Sequence, residues 1–124
     1  MASVILLVDD EHDLIQVLAD ALGEVMPGYE VALAHTFDEA DAAIRELHGE
    51  QRLALVVVDH MLGGRTGLDL LRQLHADKSS VPSILFTGQA DEEVAEQAAA
   101  VGARVLWKPL RLREWLKEVR SLLT

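Results

Sequence analysis

The stretch Leu53-Ala54-Leu55-Val56-Val57-Val58-Asp59 decides the fold. Six apolar residues in succession, with a carboxylate immediately after them, read as a β-strand covered on both faces. This is the longest unbroken apolar run in the chain, far short of the ~20 residues a membrane-spanning helix needs. Similar runs occur at Val4–Val8 and Ser83–Thr87, and two more at Tyr29–Ala34 and Ala103–Trp107. Between the runs, apolar residues recur with helical spacing. Leu14, Leu18, Ala21, Leu22 and Val25 form one stripe, and Phe37, Ala40, Ala43, Ile44 and Leu47 a second. Leu68, Leu71 and Leu74 suggest a third, Val94, Ala98 and Val101 a fourth, and Leu112, Leu116, Val119 and Leu123 a fifth.

The punctuation agrees with this division. Thr36 with Glu39 makes a capping box, Asp91 suits an N-cap, Pro27-Gly28 closes the first helix and Gly102 sits where a C′ glycine belongs. Alternating strands and helices predict an α/β fold, a doubly wound five-stranded parallel sheet with helices on both faces. Glu30 and Arg104 mark the second and fifth strands as edges, and an order of 2-1-3-4-5 with right-handed crossovers satisfies the pattern.

The 124 residues suit one domain over 1–124, and half of them are apolar, which excludes a disordered chain. With 21 acidic against 11 basic residues the net charge is −10, so direct binding to nucleic acid or to an anionic membrane is not expected. There is no cysteine, which removes disulfides and thiolate chemistry and suits a reducing cytoplasm. No secretory signal is read at the N-terminus.

In open α/β sheets ligands bind beyond the carboxyl ends of the strands, near the point where the winding reverses. At those ends stand Asp9, Asp10 and Glu11, then Asp59, then Thr87-Gly88, then Lys108-Pro109. Carboxylates held together repel one another unless a cation joins them, and a hard ion such as Mg²⁺ suits oxygen ligands. With a lysine and a hydroxyl beside it, such a site has what phosphoryl transfer requires.

These residues, in order and each at a strand end, resemble the receiver domain of two-component response regulators along essentially the whole chain. The resemblance implies a flavodoxin-like fold and a phosphoacceptor, Asp59, that attacks the phosphohistidine of a histidine kinase or phosphotransfer protein, or a small phosphodonor. It implies Mg²⁺ (or Mn²⁺) held by Asp10, Asp59 and the backbone carbonyl of Met61, with Asp9 acting through water. Lys108 would pair with one phosphoryl oxygen and Thr87 would donate to another, with the small Gly88 leaving room. The Lys108–Pro109 bond is expected to be cis; otherwise Pro109 opens the last helix. Such a domain is a cytoplasmic signalling module and not a turnover enzyme. Its partners would be the kinase and a downstream protein or fused output domain, with dimerisation through the fourth helix, fifth strand and fifth helix. No output domain is read within the 124 residues.

Two positions depart from the pattern. Gly63 and Gly64 stand where a proline is common, which predicts a mobile loop over the site. Val105 replaces the aromatic switch residue of strand five, so the readout of phosphorylation would differ. Trp107 is expected to pack in the core or at the edge with strand five, with partner contact as the alternative, and Trp115 is open between core and binding face. His60 is expected to point away from Asp59, and His35, His48 and His75 to lie at the surface. Three other functions compete. The first is a constitutive interaction module with the same fold. The second is an aspartyl-phosphate hydrolase, disfavoured because Asp9-Asp10-Glu11 is not an Asp-x-Asp motif. The third is flavin binding, disfavoured by the lack of a phosphate-cradling loop.

Overall fold

The computed structural model describes residues 2–76, 80–88 and 91–123. In chain order the elements are β1 (Ser3–Val8), α1 (His12–Val25), β2 (Tyr29–Ala34), α2 (Phe37–Gly49), β3 (Leu53–Val58), β4 (Met61–Leu62), β5 (Arg65–Thr66), α3 (Gly67–Ala76), β6 (Ser83–Thr87), α4 (Glu92–Ala100), β7 (Arg104–Trp107) and α5 (Leu112–Leu123). Five strands form one parallel sheet in the order β2-β1-β3-β6-β7. Counting only the strands of that sheet, this is the expected 2-1-3-4-5. Thr124, expected to end the last helix, lies outside the described residues.

Alternation along the strands splits the core in two. Val4, Leu6, Val8, Val56, Val58 and Leu85 face α2, α3 and α4. Ile5, Leu7, Leu55, Val57, Ile84 and Phe86 face α1 and α5. Both sets are apolar because β1, β3 and β6 are covered on both sides, which is why their sequences run without a polar break. The edges carry charge, as edges that must not recruit further strands do. Glu30 of β2 pairs with Arg52, and Arg104 of β7 lies 2.7 Å from Glu118 of α5.

The helix ends follow the sequence signals. Thr36 Oγ1 accepts from the Glu39 amide at 3.1 Å, and Asp91 Oδ1 accepts from the Val94 amide at 2.9 Å. Gly102 follows α4 with φ +89°. No helix among the described residues is long and apolar enough to cross a membrane.

Several expectations need correction. Val25 and Leu112 were read into buried stripes, yet both are exposed; Ile15 and Trp115 take the buried places instead. The helices are rotated so that the bulkiest residues meet the sheet. Trp115 is fully buried beside Phe86, which makes it core, whereas Trp107, at the end of the edge strand β7, is 44% exposed and not core. Gly63 and Gly64 turn a short hairpin in which Met61 pairs with Thr66 and Leu62 with Arg65, with Gly63 at φ +68°. That hairpin occupies the stretch where the sequence predicts a mobile loop.

These positions predict unequal costs for the two tryptophans. Trp115→Ala should lower the free energy of unfolding by about 3–5 kcal/mol. Trp107→Ala should change it by only about 0.5 kcal/mol. Urea denaturation of both variants checks the contrast.

Candidate functional site

The carboxyl ends of β1, β3, β6 and β7 build one rim, and the sheet ladder runs one residue past each of the first two. The Asp9 amide donates to the Ala34 carbonyl at 3.1 Å, and the Asp59 amide donates to the Val8 carbonyl at 3.0 Å. Because β1 and β3 are neighbours, this extension sets Asp9 and Asp59 side by side. The Lys108 amide donates to the Thr87 carbonyl at 3.0 Å, which ties the end of β7 to the end of β6. The Lys108–Pro109 bond is cis, and α5 starts only at Leu112, so Pro109 does not open that helix.

The side chains converge as expected. Lys108 Nζ lies 2.8 Å from Asp9 Oδ2, 3.6 Å from Glu11 Oε1 and 3.7 Å from Asp59 Oδ2. Asp9 and Asp59 are buried, Asp10 is exposed, and Thr87 is fully buried at the end of β6. The second oxygens of the two buried acids are also held. Asp9 Oδ1 accepts from the Glu11 amide at 2.9 Å, and Asp59 Oδ1 accepts from the His60 amide at 2.8 Å. Charged acceptors taking backbone N–H bonds are fixed in direction.

One ammonium faces several carboxylates. Burial pulls the Lys108 pKa down, but the bond and charge of Asp9, then the charges of Asp59 and Glu11, outweigh burial and leave it raised above 10.5. Lys108 is therefore a cation at any physiological pH.

An oxygen of each of Asp9, Asp10 and Asp59 can be taken so that all lie within 4.8 Å of one another. Among the described residues this is the one group of histidines and acids spaced to hold an ion. Small, hard cations with oxygen ligands fit that donor set. Met61, in β4, is 40% exposed, and its hairpin lies directly after Asp59. At Gly88 an added methyl would meet Lys108 only at ordinary contact distances of 3.5–3.6 Å, so packing alone does not demand glycine there. Val105 is half-buried against the α2–α4 side of the core.

Some residues play parts that the sequence did not disclose. Gly67, the first residue of α3, has no room for a side chain, because a Cβ there would overlap the Asp59 carbonyl oxygen and crowd Val58 Cγ2 at 3.0 Å. Its amide also donates to the His60 carbonyl at 2.7 Å. A glycine opening a helix, where helix propensity disfavours it, is the only local sign of this role. His60 is buried, and because β3 stops at Val58 strand alternation does not govern its direction. His75 is half-buried with Nε2 3.3 Å from Ser83 Oγ, while His48 is exposed. His35 is half-buried and stacks on His12 with ring centroids 3.8 Å apart.

Two predictions follow from these contacts. Gly67→Ala should destabilise the fold by about 1–3 kcal/mol, because backbone rather than a flexible side chain must give way. Gly64→Ala, with nothing near its Cβ, should cost about 0.5 kcal/mol or less by the same denaturation assay. The second concerns pH. A lysine whose folded pKa is raised adds stability that is complete below 10.5 and is lost as pH rises through the raised value. The stability gap between wild type and Lys108→Met should accordingly stay level across neutral pH and narrow only above about pH 10.5.

A family model described as the response regulator receiver domain matches residues 5–120. The phosphate regulon transcriptional regulatory protein PhoB of Pseudomonas aeruginosa is 32% identical over 126 residues, covering 99% of this chain and 52% of PhoB. The DNA-binding response regulator MtrA of Mycobacterium tuberculosis is 34% identical over 125 residues, covering 99% of this chain and 51% of MtrA. The chain thus spans about half the length of these relatives. A CheY-like receiver domain protein from Methanospirillum hungatei JF-1 superposes with a TM-score of 0.86 at 28% identity, covering 99% of this chain and 94% of that one. The non-phosphorylated HemR receiver domain of Leptospira biflexa gives 0.85 at 28% identity, covering 98% and 94%.

Proposed function

The chain belongs to the receiver domain family of response regulators, and from that premise we propose that it accepts a phosphoryl group on Asp59 and signals the change to a partner. The observation that carries the reading is the Lys108 ammonium 3.7 Å from Asp59 Oδ2, beside three carboxylates with oxygens within 4.8 Å of one another. The donor set suits Mg²⁺ or Mn²⁺, with Asp10, Asp59 and the Met61 carbonyl as direct ligands and Asp9 acting through water. When bound, the ion supplies positive charge to the phosphoryl oxygens.

The chain's own groups do the rest. A carboxylate oxygen of Asp59 forms the bond to phosphorus. The bond from phosphorus to the donor's imidazole nitrogen breaks, and that nitrogen keeps the electron pair. Lys108 donates to one phosphoryl oxygen and the Thr87 hydroxyl to another, so the charge is met by fixed donors. A histidine kinase or phosphotransfer protein is the phosphodonor, in the cytoplasm. Since PhoB is by name a transcriptional regulatory protein and MtrA a DNA-binding one, a fused or separate output partner fits this chain too. The face of α4, β7 and α5 carries the exposed Trp107 and suits that readout. With Val105 at the switch position, the change reaches it without an aromatic swing.

Acetyl phosphate with Mg²⁺ should add the mass of one phosphoryl group to wild type and nothing to Asp59→Asn. Equal labelling of that variant would overturn the proposal. Lys108→Met should accept the group at least about tenfold more slowly, yet bind Mg²⁺ several-fold more tightly, because the carboxylates lose their neutralising partner. Calorimetric titration alongside the labelling assay reads both.

A further inference from the structure

The hairpin that follows Asp59 needs support from outside itself. Its strands are two residues each, Met61–Leu62 and Arg65–Thr66, and so short a ribbon is at best marginal on its own ladder. Its tip is bare, since among the described residues nothing lies within 4 Å of a Cβ placed on Gly63 or Gly64. Residues directly opposite in an antiparallel pair project from one face of the ribbon. Leu62 and Arg65 therefore share a face, and Met61 and Thr66 share the other. On the second face the Thr66 hydroxyl accepts from the Asp69 amide at 3.2 Å, which fastens the base of the hairpin to α3, while Met61 is 40% exposed. The tip is fastened from the first face.

Leu62 is buried in the cluster that also holds Phe37, the first residue of α2. Arg65 closes over the same place. Its guanidinium carbon lies over the Phe37 ring, 3.7 Å from the centroid, which is stacking distance. No carboxylate among the described residues pairs with Arg65, so the ring, rather than an acid, holds this cation. A planar guanidinium can lay its face on a ring and keep its edge in water, so the contact suits an exposed residue.

We propose that Arg65, stacked on Phe37, is a positioning residue for the metal: it fixes the strand that presents the Met61 carbonyl to a divalent ion beside Asp9, Asp10 and Asp59. The inference rests on the reading of that carbonyl as a Mg²⁺ ligand. The carbonyl belongs to the peptide that joins Met61 to Leu62, and Leu62 is the residue paired with Arg65. A ligand already held in place loses little freedom when the ion binds, so affinity rises. As a bare charge Arg65 would do the opposite, because a cation near carboxylates opposes the arrival of a second one. The two roles act on Mg²⁺ affinity with opposite sign.

Calorimetric titration with Mg²⁺ reads that sign. Arg65→Met, which removes the charge and keeps an apolar stem, should bind the ion about two- to fivefold more weakly than wild type, the range one exposed cation–ring contact supplies. Phe37→Leu should lose a similar factor, and Arg65→Lys, which keeps a cation over the ring, should recover part of it. Arg65→Met with Phe37→Leu should be no weaker than either alone, since both remove the same contact. Without any ion, amide hydrogen exchange over residues 61–66 should quicken in Arg65→Met, while the five-stranded sheet exchanges as in wild type and so reports that the variant is folded. Mg²⁺ binding that is unchanged or tighter in Arg65→Met overturns the inference, as do losses that simply add in the double variant. Acetyl phosphate labelling separates this from the phosphoacceptor reading. Wild type labelled on Asp59, with Arg65→Met binding Mg²⁺ as wild type does, sinks the inference and spares the reading. Weaker Mg²⁺ binding in Arg65→Met, beside a wild type that takes no phosphoryl group, sinks the reading and spares the inference.

Discussion

The Lys108 ammonium is the constraint on which the site depends. It lies among Asp9, Glu11 and Asp59, and two of those acids are buried. Buried carboxylates this close would push one another apart without a fixed cation between them. The lysine is 99 residues from Asp9 in sequence, so the contact exists only when the sheet has formed from β1 through to β7. Site and fold are therefore one event, and the electrostatic balance of the rim reports whether the whole sheet is in place.

Much of this was legible in the residues. The uninterrupted runs at Val4–Val8 and Leu53–Val58 gave the central strands, and Glu30 and Arg104 gave the edges, because burial on two faces or one dictates which residues a strand can carry. The convergence of Asp9, Asp59 and Lys108 followed from topology alone, since parallel strands bring all their carboxyl ends to one rim. What stayed hidden depends on rotation and on close approach. Helical periodicity tolerates a turn of one residue, so Val25 and Ile15 could exchange places without disturbing the pattern. Trp107 sits at a strand end where alternation no longer says which side is covered. The close approach of Gly67 to the Asp59 carbonyl oxygen leaves no periodic mark in the sequence.

The two sides of the sheet do different work. On one, α2, α3 and α4 close over a core that includes Val105, and the hairpin at Met61–Thr66 leads from Asp59 into α3. On the other, α1 and α5 bury Trp115 and Val119. A net charge of −10 is spread unevenly, since α1 has no lysine or arginine while α5 carries Arg113, Lys117 and Arg120. Local sign, rather than the total, decides what can approach each face.

The contact of Gly67 with Asp59 has a mechanical consequence. With main chain resting on main chain and no side chain between them, nothing is available to absorb a displacement. A shift of the Asp59 backbone is therefore passed to the root of α3, as a strut moves when its footing moves. Displacement at the rim and tilt of that helix are then coupled.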